Sequence, residues 1–310
     1  MKTLRALAPA KVNLGLFLGP VRASDGRHEL ATVMQSISLA DELTLEPAAA
    51  AAGADEIECP GVPGPPGENL AAVALRAFRR RAGWEGPAVR LSIRKRIPVA
   101  GGLGGGSADA AAALRLIRQA SGAGDQALLL ELGAELGADV PAQISPGRWL
   151  AGGAGERLEP LPDPSPSFGL LVQPLAVPLS TAAVYAEADR LGLGRSGKAI
   201  EERRRALGAA LGLGAPLPAG DLLQNDLQQA AVSLCPEIAG VLERVRGAGA
   251  ERTFVSGSGP TVVGLFSGGD GPGDGLQRAE RAAAGLHGGL PEPVCARPVG
   301  SSFARAQEVA

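Results

Sequence analysis

The chain has 310 residues, more than an ordinary single domain needs and enough for two. Its 30 Lys and Arg against 32 Asp and Glu leave a net charge of -2, which argues against a broad electrostatic partner such as nucleic acid. Aromatic residues are only 3% of the chain, so a core of many small aliphatic contacts rather than aromatic anchors is expected; Cys59, Cys235 and Cys295 form no CxxC pair, which fits a reducing compartment better than a zinc knuckle or a disulfide framework.

Residues 4–18 alternate loosely between apolar and small or polar types and are predicted to be a strand. Lys11 and Asn13 interrupt the stretch that a signal-peptide core would require. Asp25-Gly26 reads as a turn into a second strand over 33–45. Residues 47–67, with the run GVPGPPG, are predicted to be an exposed loop that holds no regular element. A helix over 69–82 and a strand over 89–93 follow, and then PVAGGLGGGSADAAAALRLIRQASG, a glycine loop feeding an alanine-rich helix that ends near Gly122. A helix over 126–136 leads to Gly137-Ala138-Asp139-Val140-Pro141, where Pro141 biases its predecessor away from helix and predicts a turn. The stretch PLPDPSPS at 160–167 is the best linker and divides the chain into domains over 1–160 and 161–310. The second half is predicted to hold a strand at 169–173, helices over 181–190, 199–210 and 237–247, a hairpin over 251–266, a helix at 276–286 and a last strand near 294–299. Strands and helices mix in both halves, which predicts an α+β fold. No apolar run approaches the roughly 20 residues of a membrane span, so a cytoplasmic protein with no membrane partner is expected.

The glycine loop carries the clearest chemistry. A loop that enters a helix aims backbone N–H groups and the positive end of the helix dipole at one spot, which suits phosphate. Gly101, Gly102, Gly104, Gly105 and Gly106, set between Pro98, Leu103 and Ser107, permit the close approach, and the Ser107 hydroxyl can bond a phosphate oxygen or a metal ion. A tight turn with no ligand is the alternative. The spelling is not that of a P-loop, because no Lys precedes Ser107, and it fits GxGxxG poorly, because positions 102, 104 and 107 read Gly, Gly, Ser.

The string from Pro98 to Ala112 resembles the second motif of the GHMP kinase superfamily. Ala8-Pro9-Ala10-Lys11-Val12-Asn13-Leu14 resembles the first motif and Ser256-Gly257-Ser258-Gly259-Pro260-Thr261 the third. With Asp25-Gly26, His28, the triple glycine and Gly137 to Pro141, the chain is most similar to the members that act on a cytidine-diphosphate-linked alcohol. The resemblance implies a two-domain GHMP kinase fold, with a ribosomal-protein S5-like N-terminal domain and a ferredoxin-like C-terminal domain. It implies ATP as donor, with Mg2+, and phosphorylation of the 2-hydroxyl of the methylerythritol part of the substrate in the non-mevalonate route to isoprenoid precursors.

Phosphoryl transfer needs positioning, charge neutralisation and a group that orients or deprotonates the attacking hydroxyl. By resemblance, Asp139 is the catalytic base and Lys11 the cation that pairs with it; alone, an Asp in a turn is more often a cap and a Lys on a strand more often solvated. Asn13 belongs to the substrate site. His28 resembles the residue that hydrogen-bonds the cytosine, a task suited to a neutral imidazole with one donor and one acceptor, against the alternative of a surface turn histidine. Arg27 stands where the family usually carries an aromatic residue, and a guanidinium can also lie flat on a ring. Tyr185 resembles the aromatic over the opposite face of the base. The 256–260 loop either closes on the active site or is a plain hairpin turn. No side chain is assigned as a metal ligand, and neither Glu156 nor His287 receives a role. A kinase for another small alcohol, homoserine or mevalonate, and a non-catalytic ligand-binding protein of the same fold remain the alternatives.

Overall fold

The computed structural model describes residues 1–49, 53–164, 168–215, 217–218, 220–268, 274–286 and 289–309; His287 and residues 165–167 of the expected linker lie outside them. The first half runs β1 (Leu4–Val21), β2 (His28–Pro47), β3 (Glu56–Glu58), α1 (Leu70–Ala82), β4 (Val89–Arg94), α2 (Gly105–Ser121), α3 (Gln126–Leu136), α4 (Val140–Ile144), β5 (Arg148–Gly152) and β6 (Arg157–Leu161). The second runs β7 (Gly169–Gln173), α5 (Thr181–Arg190), α6 (Gly197–Leu211), α7 (Gln228–Leu234), α8 (Glu237–Gly247), β8 (Arg252–Val255), β9 (Val262–Phe266), α9 (Asp274–Ala284), β10 (Val294–Ala296) and β11 (Gln307–Glu308).

One sheet has the order β11-β1-β2-β4-β3, with β5 pairing the other half of β2 and β6 outside it; the second has the order β10-β7-β9-β8. The helices are set by local signals. The Asn69 side chain accepts from Ala71 N at 2.9 Å to cap α1, which ends at Gly83 with φ 60°. The alanines predicted as a helix face do their packing by being small: Ala110, Ala111, Ala112 and Ala113 of α2 are fully buried beside Ala71 and Ala74 of α1. The aromatic residues depart from expectation. Scarce as they are, Phe17, Phe78, Phe168 and Phe266 are among the largest fully buried side chains, because a sheet lined with alanines leaves room for a few rings to fill.

Three elements correct the sequence reading. Within 47–67, Ile57 of β3 stands opposite Leu91 in a parallel pairing with β4 and packs on the first core cluster, so tertiary burial creates a strand where local composition opposes one. Pro141 opens α4 instead of ending a helix, since the first turn of a helix needs no N–H from it. The hairpin of β5 and β6 was not anticipated; it turns through Gly153 and Gly155, both at positive φ, and takes the start of the expected linker into the sheet.

The two sheets share a core. Val12, Leu14 and Phe17 of β1 cluster with Leu170 and Val172 of β7 and Val263 and Leu265 of β9. This seam covers β1 on both faces, so Lys11 and Asn13 are buried although polar, at 8% and 4% exposure. Among the described residues, no helix is long and apolar enough to cross a membrane.

Candidate active site

Lys11 and Asn13 are two residues apart on β1 and so project from the same face. Lys11 Nζ donates to Asn13 Oδ1 at 2.9 Å, Asn13 Nδ2 to Thr32 Oγ1 at 2.9 Å, and Thr32 Oγ1 to Gly15 O at 2.7 Å. This chain fixes the ammonium. Its other neighbour is Asp139, whose Oδ2 lies 3.4 Å from Lys11 Nζ. Asp139 stands at the N-cap of α4, yet among the described residues its side chain makes no capping bond, so the carboxylate faces the cavity with about a third of its surface open.

The glycine loop crosses immediately above. Lys11 N donates to Leu103 O at 2.9 Å, which ties β1 to the loop. Gly102 and Gly104 have φ of 75° and 70°; a Cβ at Gly102 would lie 2.4 Å from Ser256 O, and one at Gly104 would lie 3.0 Å from Lys11 Cγ. Ala100 sits at φ 57°, a strained value for a residue with a side chain. Gly104 is the N-cap of α2, so the first amides of that helix have no partner within it and point outward. The 256–260 loop also meets the glycine loop: Ser256 Oγ donates to Gly102 O at 3.1 Å, and Ser258 Oγ lies 2.9 Å from Thr181 Oγ1 on α5.

Two cavities flank this loop. One, of about 770 Å³, is lined by Lys11, Asn13, Arg27, His28, Asp139 and Tyr185. The other, of about 590 Å³, is lined by Asn69, Lys95, Pro98, Asp109 and the run Gly101 to Ser107. Gly102, Gly104 and Ser107 border both, so every residue singled out in the sequence belongs to one of two chambers that meet at the glycine loop beside Lys11 and Asp139.

The far end of the larger cavity is braced. Arg22 pairs with Asp25 and with Glu156, and Glu156 Oε2 accepts from Ala154 N at 2.7 Å. Ala154 O in turn accepts from Arg27 Nη2 at 2.9 Å, so Glu156 and Arg22 hold the loop to which Arg27 is tethered. His28 is not a surface turn residue; it opens β2 and is buried. Nor is its ring free on one edge as expected for a base-binding imidazole. Nδ1 donates to Gly19 O at 2.9 Å, since a carbonyl only accepts, while Nε2 lies 3.1 Å from Asp189 Oδ1 on α5. The Tyr185 ring stands 5.6 Å from that of His28, tilted by 41°. Burial pushes the Tyr185 phenol up to about 12, with the Asp139 charge adding to it, so the ring is a neutral platform.

Sequence reasoning missed Asp189 and a buried cluster on the wall of the smaller cavity. Lys95 Nζ donates to Asp41 Oδ2 and, at 2.7 Å, to Asp109 Oδ2. Asp41 Oδ1 also accepts the backbone N–H groups of Arg96 and Ile97, whereas Asp109 Oδ1 is buried with no hydrogen-bond partner among the described residues. Burial pushes the Asp109 carboxyl up to about 7; Lys95 opposes the rise and Asp41 adds to it. The available signal was an acidic residue inside an alanine-rich helix one turn past the glycines. For Asp189 it was the four-residue step from Tyr185, which puts both on one face of α5. Among the described residues, no group of three or more His, Cys, Asp or Glu side chains is placed to hold a metal ion.

Comparison with known proteins agrees with this arrangement. Residues 69–147 match the family model of the GHMP kinases N terminal domain and residues 198–288 that of the GHMP kinases C terminal. The chain is 43% identical over 278 residues to the 4-diphosphocytidyl-2-C-methyl-D-erythritol kinase of Anaeromyxobacter dehalogenans strain 2CP-C, covering 86% of this chain and 81% of that protein. It is 44% identical over 272 residues to the enzyme of the same name from Kineococcus radiotolerans, covering 85% and 81%. A crystal structure of 4-(cytidine 5'-diphospho)-2C-methyl-D-erythritol kinase superposes with a TM-score of 0.75 at 33% identity, covering 96% of this chain and 99% of that one. A homoserine kinase from Cytophaga hutchinsonii superposes with a TM-score of 0.74 over 100% of this chain and 98% of its own, but at 18% identity it shares only the fold.

Proposed function

The chain belongs to the GHMP kinases and, among them, to the 4-diphosphocytidyl-2-C-methyl-D-erythritol kinases, and from that premise we propose that it transfers the terminal phosphoryl group of ATP to the 2-hydroxyl of 4-diphosphocytidyl-2-C-methyl-D-erythritol, in the non-mevalonate route to isoprenoid precursors. The observation that carries this reading is the position of Lys11 and Asp139 at the junction of two cavities that share Gly102, Gly104 and Ser107. ATP occupies the smaller cavity, with its phosphates on the amides at the start of α2. The cytidine substrate occupies the larger one, its base between Arg27 and Tyr185 and beside His28, and its methylerythritol hydroxyl beside Asp139.

Asp139 accepts the proton of that hydroxyl as its oxygen bonds to the γ-phosphorus, and the bond to the bridging oxygen breaks so that ADP leaves with the electron pair. Lys11, held by Asn13, stabilises charge on the transferring group. Mg2+ bound to the nucleotide supplies further charge neutralisation; the residues fit an ion carried by the phosphates, with Ser107 the hydroxyl available to it. A cytoplasmic location and a division into domains near residue 160 belong to the same reading.

ADP release measured with the cytidine substrate, homoserine and mevalonate as separate acceptors tests the assignment. Stimulation by the cytidine substrate alone is expected. Stimulation by homoserine or mevalonate instead, or by none of the three, overturns it.

A further inference from the structure

The edge of the larger cavity beside His28 has an unusual demand. Nδ1 of His28 is committed as a donor to Gly19 O at 2.9 Å, so in the neutral ring Nε2 carries a lone pair. Facing it at 3.1 Å is Oδ1 of Asp189, a carboxylate oxygen that also only accepts. Asp189 is half-exposed at the end of α5, one helical turn from Tyr185, and both line the same cavity. Two acceptors placed this closely are satisfied together by a group with two N–H donors between them.

We propose that Asp189 and His28 form a paired acceptor for the exocyclic amino group of the cytosine, and that Asp189 is thereby the residue that selects a cytidine over a uridine substrate. The inference rests on the cytidine reading above and deepens it. The amino group offers one N–H to Nε2 of His28 and the other to Asp189. Uracil carries a carbonyl oxygen at the same ring position and meets two acceptors with a third, which leaves all three unpaired as the base is desolvated. Tyr185 and Arg27 contact only ring faces, which cytosine and uracil present alike, so they do not make this distinction. Selection by a hydrogen-bonded edge is also the kind that rejects an analogue strongly.

The test compares kcat/KM for the cytidine substrate and its uridine-diphosphate analogue in the native enzyme, Asp189→Asn, Asp189→Ala and Asp189→Glu. The native enzyme is expected to prefer the cytidine compound at least tenfold. Asp189→Asn, whose amide can donate to a carbonyl, is expected to lose about tenfold on the cytidine compound and gain on the uridine one. Asp189→Ala should lose discrimination without the gain, and Asp189→Glu should restore part of the preference. With all variants turning over ATP at the native kcat, an unchanged cytidine-to-uridine ratio in Asp189→Asn and Asp189→Ala overturns the inference and leaves the kinase assignment standing. A native enzyme inactive on the cytidine compound overturns both.

Discussion

Lys11 Nζ lies 2.9 Å from Asn13 Oδ1 and 3.4 Å from Asp139 Oδ2, so the ammonium is aimed by one neighbour and charge-paired with the other. Replacing it with Met keeps the length and removes the charge. Lys11→Met is expected to lower kcat on the order of 100- to 1000-fold, the usual loss when one stabilising group for a developing charge is removed. Steady-state ADP release measures it, and a loss under tenfold would mean that Lys11 serves only to seal the seam between the sheets.

Gly104 separates the nucleotide from the Lys11 stem. Its φ is 70° and a Cβ would stand 3.0 Å from Lys11 Cγ, so a β-branched residue there is strained by about 1–3 kcal/mol and crowds the lysine as well. Gly104→Val is expected to remain folded and to lose the increase in melting temperature that ATP gives the native protein. Gly106→Ala, whose Cβ meets nothing within 4 Å, is the control for the fold. An ATP-induced shift of native size in Gly104→Val would contradict the phosphate cradle.

Arg27 is tethered through Nη2 to Ala154 O, 2.9 Å away, and lines the larger cavity. A partly exposed cation–π contact contributes about 0.5–1 kcal/mol, so Arg27→Ala should raise KM for the cytidine substrate about two- to fivefold and leave kcat unchanged. Arg27→Tyr should match the native value. If neither substitution moves KM, the base is held without position 27.

The pH dependence of stability follows from Asp109. Burial takes its carboxyl from the ordinary 3.8 up to about 7, so between about pH 4 and 7 the folded protein holds a proton that the unfolded chain has released. That proton favours folding at low pH, and its contribution is lost as pH rises to 7. Relative to Asp109→Asn, the native protein should therefore lose melting temperature between pH 5 and 7 and run parallel above pH 8, at about 2–4 °C per kcal/mol for a domain of this size. A difference that is flat across the range would mean that Asp109 stays ionised beside Lys95.

Much of the site was readable before any fold was known. The glycine run, Lys11, Asn13, Asp139, His28, Arg27 and Tyr185 all line the two cavities, because phosphate binding and charge pairing demand particular residue types at short spacings. What was hidden depends on distant parts of the chain. Asp189 becomes legible only when α5 packs beside β2, and Asp109 only when Lys95 and Asp41 converge on it across 14 and 54 residues of separation from Lys95. The same holds for β3, whose pairing with β4 decides a structure that its proline- and glycine-rich surroundings disfavour.

The most direct test of the junction is Asp139→Asn, with turnover and nucleotide binding measured on the same preparation. The carboxylate faces the acceptor cavity while the glycine loop and Asn69 line the nucleotide chamber. The account predicts that calorimetric affinity for ATP stays within about twofold of native while kcat with the cytidine substrate falls about 100- to 10,000-fold, the range for loss of a general base. Native turnover in Asp139→Asn would contradict the account.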